Sequence, residues 1–69
     1  MTREFALSLI AEIQFRPFDK HDFMAFSGVD TENPLIGEND EYLVILDGNM
    51  VDIFPIDVDQ HIQFSLQNV

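Results

Sequence analysis

The sequence predicts a single α+β domain over residues 1–69: a three-stranded antiparallel sheet, made of a hairpin over 42–54 and a strand over 60–67, packed by one or two N-terminal helices. Three observations carry that expectation. Two β-rich runs, Tyr42-Leu43-Val44-Ile45-Leu46 and Met50-Val51-Asp52-Ile53-Phe54, flank Asp47-Gly48-Asn49. Apolar and polar residues alternate from Gln60 to Gln67. The N-terminal segment is dominated by Ala, Leu and Glu, with no glycine or turn residue inside it.

That first segment fits two templates. Phe5, Leu7, Leu9, Ala11, Ile13 and Phe15 follow the period of a half-buried strand, while Glu4, Ser8, Glu12 and Arg16 recur every fourth residue as one polar stripe of a helix. Composition selects the helix, since an uninterrupted strand of this length would be about twice the usual one. The alternative is a mostly β protein with 5–15 as a fourth strand. In the helical reading Thr2 is the N-cap, Glu12 pairs with Arg16, and Pro17 disfavours helical geometry at Arg16. Such a helix is apolar around most of its circumference, which makes the N-terminal segment a candidate interface in a homo-oligomer.

Asp19 then caps a short helix from Lys20 to Phe26, with Asp22 three residues after the cap and Gly28 placed to end it. Residues 30–41 combine Asn33, Pro34, Gly37 and Asn39 with five carboxylates, and read as a surface loop around the apolar pair Leu35-Ile36. The Asp-Gly step between the two β-rich runs predicts a type I′ hairpin, with Tyr42, Val44, Leu46, Val51 and Ile53 on the core face and Asp52 on a face that is partly wet. Pro55 cannot donate to a ladder and closes the second strand. In the last strand Ile62, Phe64 and Leu66 alternate with His61, Gln63, Ser65 and Gln67.

Charge is distributed very unevenly. Arg3, Arg16 and Lys20 are the only Lys or Arg residues, and the forty-nine residues after Lys20 hold ten carboxylates, so the net charge of -10 sits entirely on the C-terminal part. Direct binding of nucleic acid is disfavoured, because cations must replace the polyphosphate's counterions. The aromatics Phe15, Phe18, Phe23 and Phe26 lie near the cationic end, and are read as core filling rather than as a base-stacking platform. An anionic surface is also repelled by anionic lipid headgroups, and Ser8, Glu12 and Gln14 interrupt the one apolar stretch. No membrane association is expected, and without a signal-peptide pattern the expected compartment is the cytoplasm.

Catalysis and cofactors find little support. There is no cysteine, no Gly-rich phosphate loop and no serine in a Gly-x-Ser-x-Gly context. Asp57, Asp59 and His61 project from one face of an extended chain, but at intervals of roughly 6.8 Å, too far apart for one ion to bridge without curvature. Counted as a calcium loop from Asp30, the carboxylates Glu32, Glu38 and Glu41 fall on ligand positions, yet Pro34 occupies the fifth position and Leu35 the sixth, where glycine is needed. No metal site, no cofactor and no enzymatic activity are predicted.

What remains is recognition of a basic protein surface. The candidate partner-binding residues are Glu38, Asp40, Glu41, Asp52, Asp57 and Asp59, carboxylates that a stiff sheet would present at set spacings without the entropy of a flexible tail. A nucleic-acid-mimicking inhibitor occupying the basic groove of a nucleic-acid-handling protein fits that pattern. Small size and extreme charge also fit a phage or mobile-element protein acting in host cytoplasm. The competing expectation is a small homo-oligomeric accessory protein whose acidity serves solubility.

Overall fold

A computed structural model describes residues 1–26 and 33–66. The chain is α+β, as the sequence predicts, but its sheet has five strands in place of three. The order of elements is α1 (Arg3–Glu12), β1 (Arg16–Pro17), α2 (Lys20–Ala25), β2 (Leu35–Glu38), β3 (Tyr42–Asp47), β4 (Met50–Pro55) and β5 (Ile62–Ser65). All strands are antiparallel and adjacent in chain order, β1-β2-β3-β4-β5, a meander in which every pairing is between sequence neighbours. The expected helix stop at Gly28, the acidic positions Asp30 and Glu32, and Gln67 lie outside the described residues.

Residues 5–15 do not form a strand. The Thr2 hydroxyl accepts the Phe5 amide at 3.1 Å and opens α1, which ends at Glu12; Ile13 turns to extended geometry while its amide still donates to the Leu9 carbonyl at 3.0 Å. Helical spacing places Ala6, Leu9 and Ile13 against the sheet and leaves Phe5 and Leu7 on the outside. The expected Glu12–Arg16 pair is absent because Arg16 is no longer helical: it pairs in register with Ile36 and opens β1. Pro17 fits there, since an edge strand leaves its outer side without a partner to receive an amide.

The core lies between α1 and one face of the sheet. Val44, Val51 and Ile53 are fully buried under Ala6, Leu9 and Ile13, with Tyr42, Leu46, Ile62 and Phe64 packed around them. Register puts Gly37 opposite Val44 on this same face, directly beneath residues 13–15. The strand expected over 60–67 is shorter in the structure, beginning at Ile62 and ending at Ser65.

The other face is covered in part by α2. Phe26 meets Phe54 of β4 with ring centroids 5.6 Å apart, and Phe18 makes edge contacts with Phe23 and Phe26. Beneath this layer Ile36 and Ile45 are buried. Of the four phenylalanines read as core, Phe15 joins the α1 side, Phe18 and Phe26 are half-buried beside α2, and Phe23 is exposed.

Two corrections concern turns. The stretch read as a surface loop contains β2, whose Ile36 and Gly37 are both buried between neighbouring strands. The hairpin at Gly48-Asn49 has positive φ only at Gly48, 65°, so it follows the type II′ pattern with glycine at the first central position, not type I′.

Candidate functional site

The meander brings two acidic turns to one end of the sheet. β2 ends at Glu38 and β3 starts at Tyr42, so Asp40 and Glu41 lie in the turn between them; β4 ends at Pro55, opposite Tyr42, so Asp57 and Asp59 lie in the next turn at that same end. The two turns are joined by the Ile56 amide, which donates to the Glu41 carbonyl at 2.9 Å.

Asn39 gives the first turn its shape. Its Oδ1 accepts the amides of Glu41 and Tyr42, both at 2.8 Å, and its own amide donates to the Tyr42 carbonyl at 2.9 Å. With its amide groups satisfied locally by an Asx-type turn, the segment holds a defined shape while Glu38, Asp40 and Glu41 stay exposed. In the second turn the Gln60 amide donates to the Val58 carbonyl at 2.8 Å, and Asp57 and Asp59 face solvent. Five of the six carboxylates singled out by sequence thus share one end of the molecule.

Asp52 does not join them. It sits in the middle of β4 on the α2 face, where Oδ1 accepts from Gln63 Nε2 at 2.7 Å and lies 2.8 Å from His61 Nε2, and its side chain is only 14% exposed. His61 also stacks on Phe54, ring centroids 4.5 Å apart and 10° from parallel. The imidazole therefore meets Asp52 on the neighbouring strand. Among the described residues no group of three His, Asp or Glu side chains is placed to hold one metal ion.

Arg16 is engaged elsewhere. Arg16 grips Asp22 with both terminal nitrogens, Nη1 to Oδ2 at 2.7 Å and Nη2 to Oδ1 at 3.2 Å, while Asp22 Oδ2 also accepts the Asp19 amide at 2.8 Å and Asp19 Oδ1 accepts the Asp22 amide at 3.0 Å. The reciprocal capping box fixes the start of α2, and the two Arg16 bonds tie it to β1. The Arg16 hydrogen bonds, followed by the Asp19 amide, hold the Asp22 carboxyl down from 3.8 to about 2, and Asp22 in turn raises Arg16 above its ordinary value. Asp19 and Glu38 contribute weaker attraction to the same guanidinium. Among the described residues the ion pairs join Arg16 to Asp19 and Asp22, while the His61 ring lies within hydrogen-bond distance of Asp52. None includes Asp40, Glu41, Asp57 or Asp59.

Sequence reasoning did not find the Arg16–Asp22 pair, the Asp52–His61–Gln63 cluster or the role of Asn39. The signal for the last was present, since Asn two residues before Glu41 in a polar turn is a recognised Asx arrangement. The other two depend on strand pairings that cross helices and turns. The described fold is a small acidic α+β meander with a helix on each face. No protein-family model, no curated protein and no solved structure matches it. No helix among the described residues is long and apolar enough to cross a membrane.

Proposed function

We propose that this protein is a small acidic binding module that occupies a basic groove on a nucleic-acid-handling protein of the cytoplasm, in the manner of a nucleic-acid mimic, and that it performs no catalysis. The observation that supports this reading is the gathering of Glu38, at the end of β2, with Asp40, Glu41, Asp57 and Asp59, on two hydrogen-bonded turns, at one end of the sheet. Duplex DNA presents one charge per about 1.7 Å of axis, and carboxylates along one strand face are several times sparser. Two adjacent turns raise the density where a single strand cannot. Ordered turns also lose less entropy on binding than a flexible acidic tail would. Asp52, held by His61 and Gln63, is assigned a lesser part in contact with the partner.

The test uses the full chain immobilised on a support, with the triple variant Glu38→Lys, Asp40→Lys and Glu41→Lys beside it. A basic nucleic-acid-handling protein should be retained at low salt, released at high salt and displaced by duplex DNA, and the triple variant should retain none of it at an unchanged melting temperature. Equal retention by the variant overturns the assignment. Recovery of the chain alone, insensitive to salt, favours the self-assembling alternative, for which the exposed Phe5 and Leu7 of α1 are the supporting observation.

A further inference from the structure

The acidic end also carries apolar surface that its turns do not require. Ile56 and Val58 are 51% and 52% exposed, and nearby Met1 and Phe5 are 47% and 40% exposed. Between the start of α1 and the β4–β5 turn runs a groove of about 300 Å³, walled by Met1, Phe5, Tyr42, Pro55, Val58 and Ile62 together with the polar Gln60. Two of these walls, Phe5 and Tyr42, meet edge to face with centroids 5.6 Å apart. Beyond Tyr42, Pro55 and Val58, which both spaces share, a smaller recess of about 150 Å³ continues, and its remaining walls are Glu41 and Asp57.

The geometry points to a specific occupant: a basic segment of a partner protein that inserts one apolar side chain into the groove and places an adjoining Lys or Arg against Glu41 and Asp57. An apolar patch with a charged rim is the anatomy of a protein-binding surface. Here the recess at the far end is walled by two carboxylates, Glu41 and Asp57, so the part of the segment that reaches it must carry the opposite sign. The groove is at the small end of ligand pockets, which suits one side chain better than a whole small molecule. This inference rests on the acidic-end reading above and adds to it what charge alone cannot supply, a preference for sequence over any polycation.

Two synthetic peptides of equal charge, Lys-Lys-Leu-Lys-Lys and Lys-Lys-Ser-Lys-Lys with blocked ends, distinguish the two ideas. Affinity is read by fluorescence anisotropy and the site by amide chemical shifts, for the wild-type chain and for Val58→Asp. The leucine peptide should bind at least about tenfold tighter than the serine peptide, shift the amides of Phe5, Val58 and Ile62, and keep its advantage as salt weakens both. Val58→Asp adds a negative charge, so electrostatics alone would tighten the leucine peptide; loss of its advantage is expected instead.

Equal affinities for the two peptides, both abolished by the triple lysine variant, overturn the anchored groove and leave the acidic-end reading standing. Tighter binding of the leucine peptide by Val58→Asp overturns it in the same way. No binding of either peptide at low salt overturns both readings. Concentration-dependent self-association that Val58→Asp abolishes assigns the groove to a second copy of this chain and overturns the basic partner segment.

Discussion

Replacing Gly37 with alanine tests whether the chain after α1 is locked onto β2. A Cβ built at Gly37 would stand 2.5 Å from Ile13 Cγ2, 2.7 Å from the Gln14 carbonyl oxygen and 3.1 Å from Phe15 Cδ1. The first neighbour is part of a β-branched side chain with little rotamer freedom, and the second is main chain that no rotamer change can move. Relief requires residues 13–15 to lift away from β2, and that segment carries Ile13 and Phe15 into the core. Overpacking of this kind costs about 1–3 kcal/mol. Alanine recovers about 0.4–1 kcal/mol by restricting the unfolded chain, so the net loss is about 1–2 kcal/mol. For a domain of this size that corresponds to a fall in melting temperature of roughly 5–15 °C. It is a large part of the roughly 3–10 kcal/mol that a chain of this length has in total. The assay is thermal and urea denaturation followed by circular dichroism. The double variant Gly37→Ala with Ile13→Ala is expected to show no rescue, because the Gln14 carbonyl remains in place. A melting temperature within about 2 °C of wild type, or rescue by Ile13→Ala, would refute the reasoning by showing that the main-chain contact yields.

The remaining predictions concern the core and the anchor of α2. Ile53 is fully buried at the centre of the sheet, so Ile53→Ala should cost about 2–5 kcal/mol and shift the urea midpoint sharply downward; a loss below about 1 kcal/mol would mean that the α1–sheet interface collapses to fill the space. Asp22 titrates lower when folded, at about 2, than its ordinary 3.8, so as pH falls the unfolded chain takes up that proton first. The stabilisation from Asp22 is therefore complete above about pH 4 and is lost as pH falls toward about 2. Asp22→Asn keeps an acceptor for the Asp19 amide but removes the charge, and should flatten melting temperature against pH across that window. An acid limb of unchanged steepness in Asp22→Asn would show that Arg16 and Asp22 do not hold α2 in solution.

Local signals were legible at the helix caps and in the alternation of the central hairpin, though not in the type of its turn. Thr2 and Asp19 cap their helices, and the alternation in 42–54 assigns the core face correctly. Two strands were not legible. β1 is two residues long and includes a proline, and β2 is a four-residue segment with glycine between turn residues, so neither has the length or pattern that marks a strand. Each is held in place by its neighbours: Arg16 by pairing with Ile36, and Gly37 by the need for a residue without Cβ under Gln14.

The candidate site divides in the same way. Its charge is a property of composition, and the six carboxylates could be named before any fold was known. Their grouping is a property of topology, because a meander returns the β2–β3 and β4–β5 turns to the same end of the sheet, while period-two alternation turns Asp52 onto a face that His61 and Gln63 occupy.

By itself the sequence determined the class of the protein, the caps of both helices, the core face of the central hairpin and the concentration of negative charge in its C-terminal part. Each of these depends on residue type and on neighbours within a few positions. Tertiary structure alone decided that the sheet has five strands, that five carboxylates share one end and that a groove with apolar walls lies beside them. Those outcomes come from contacts between residues distant in the chain, whose energies appear only once the strands have found their register.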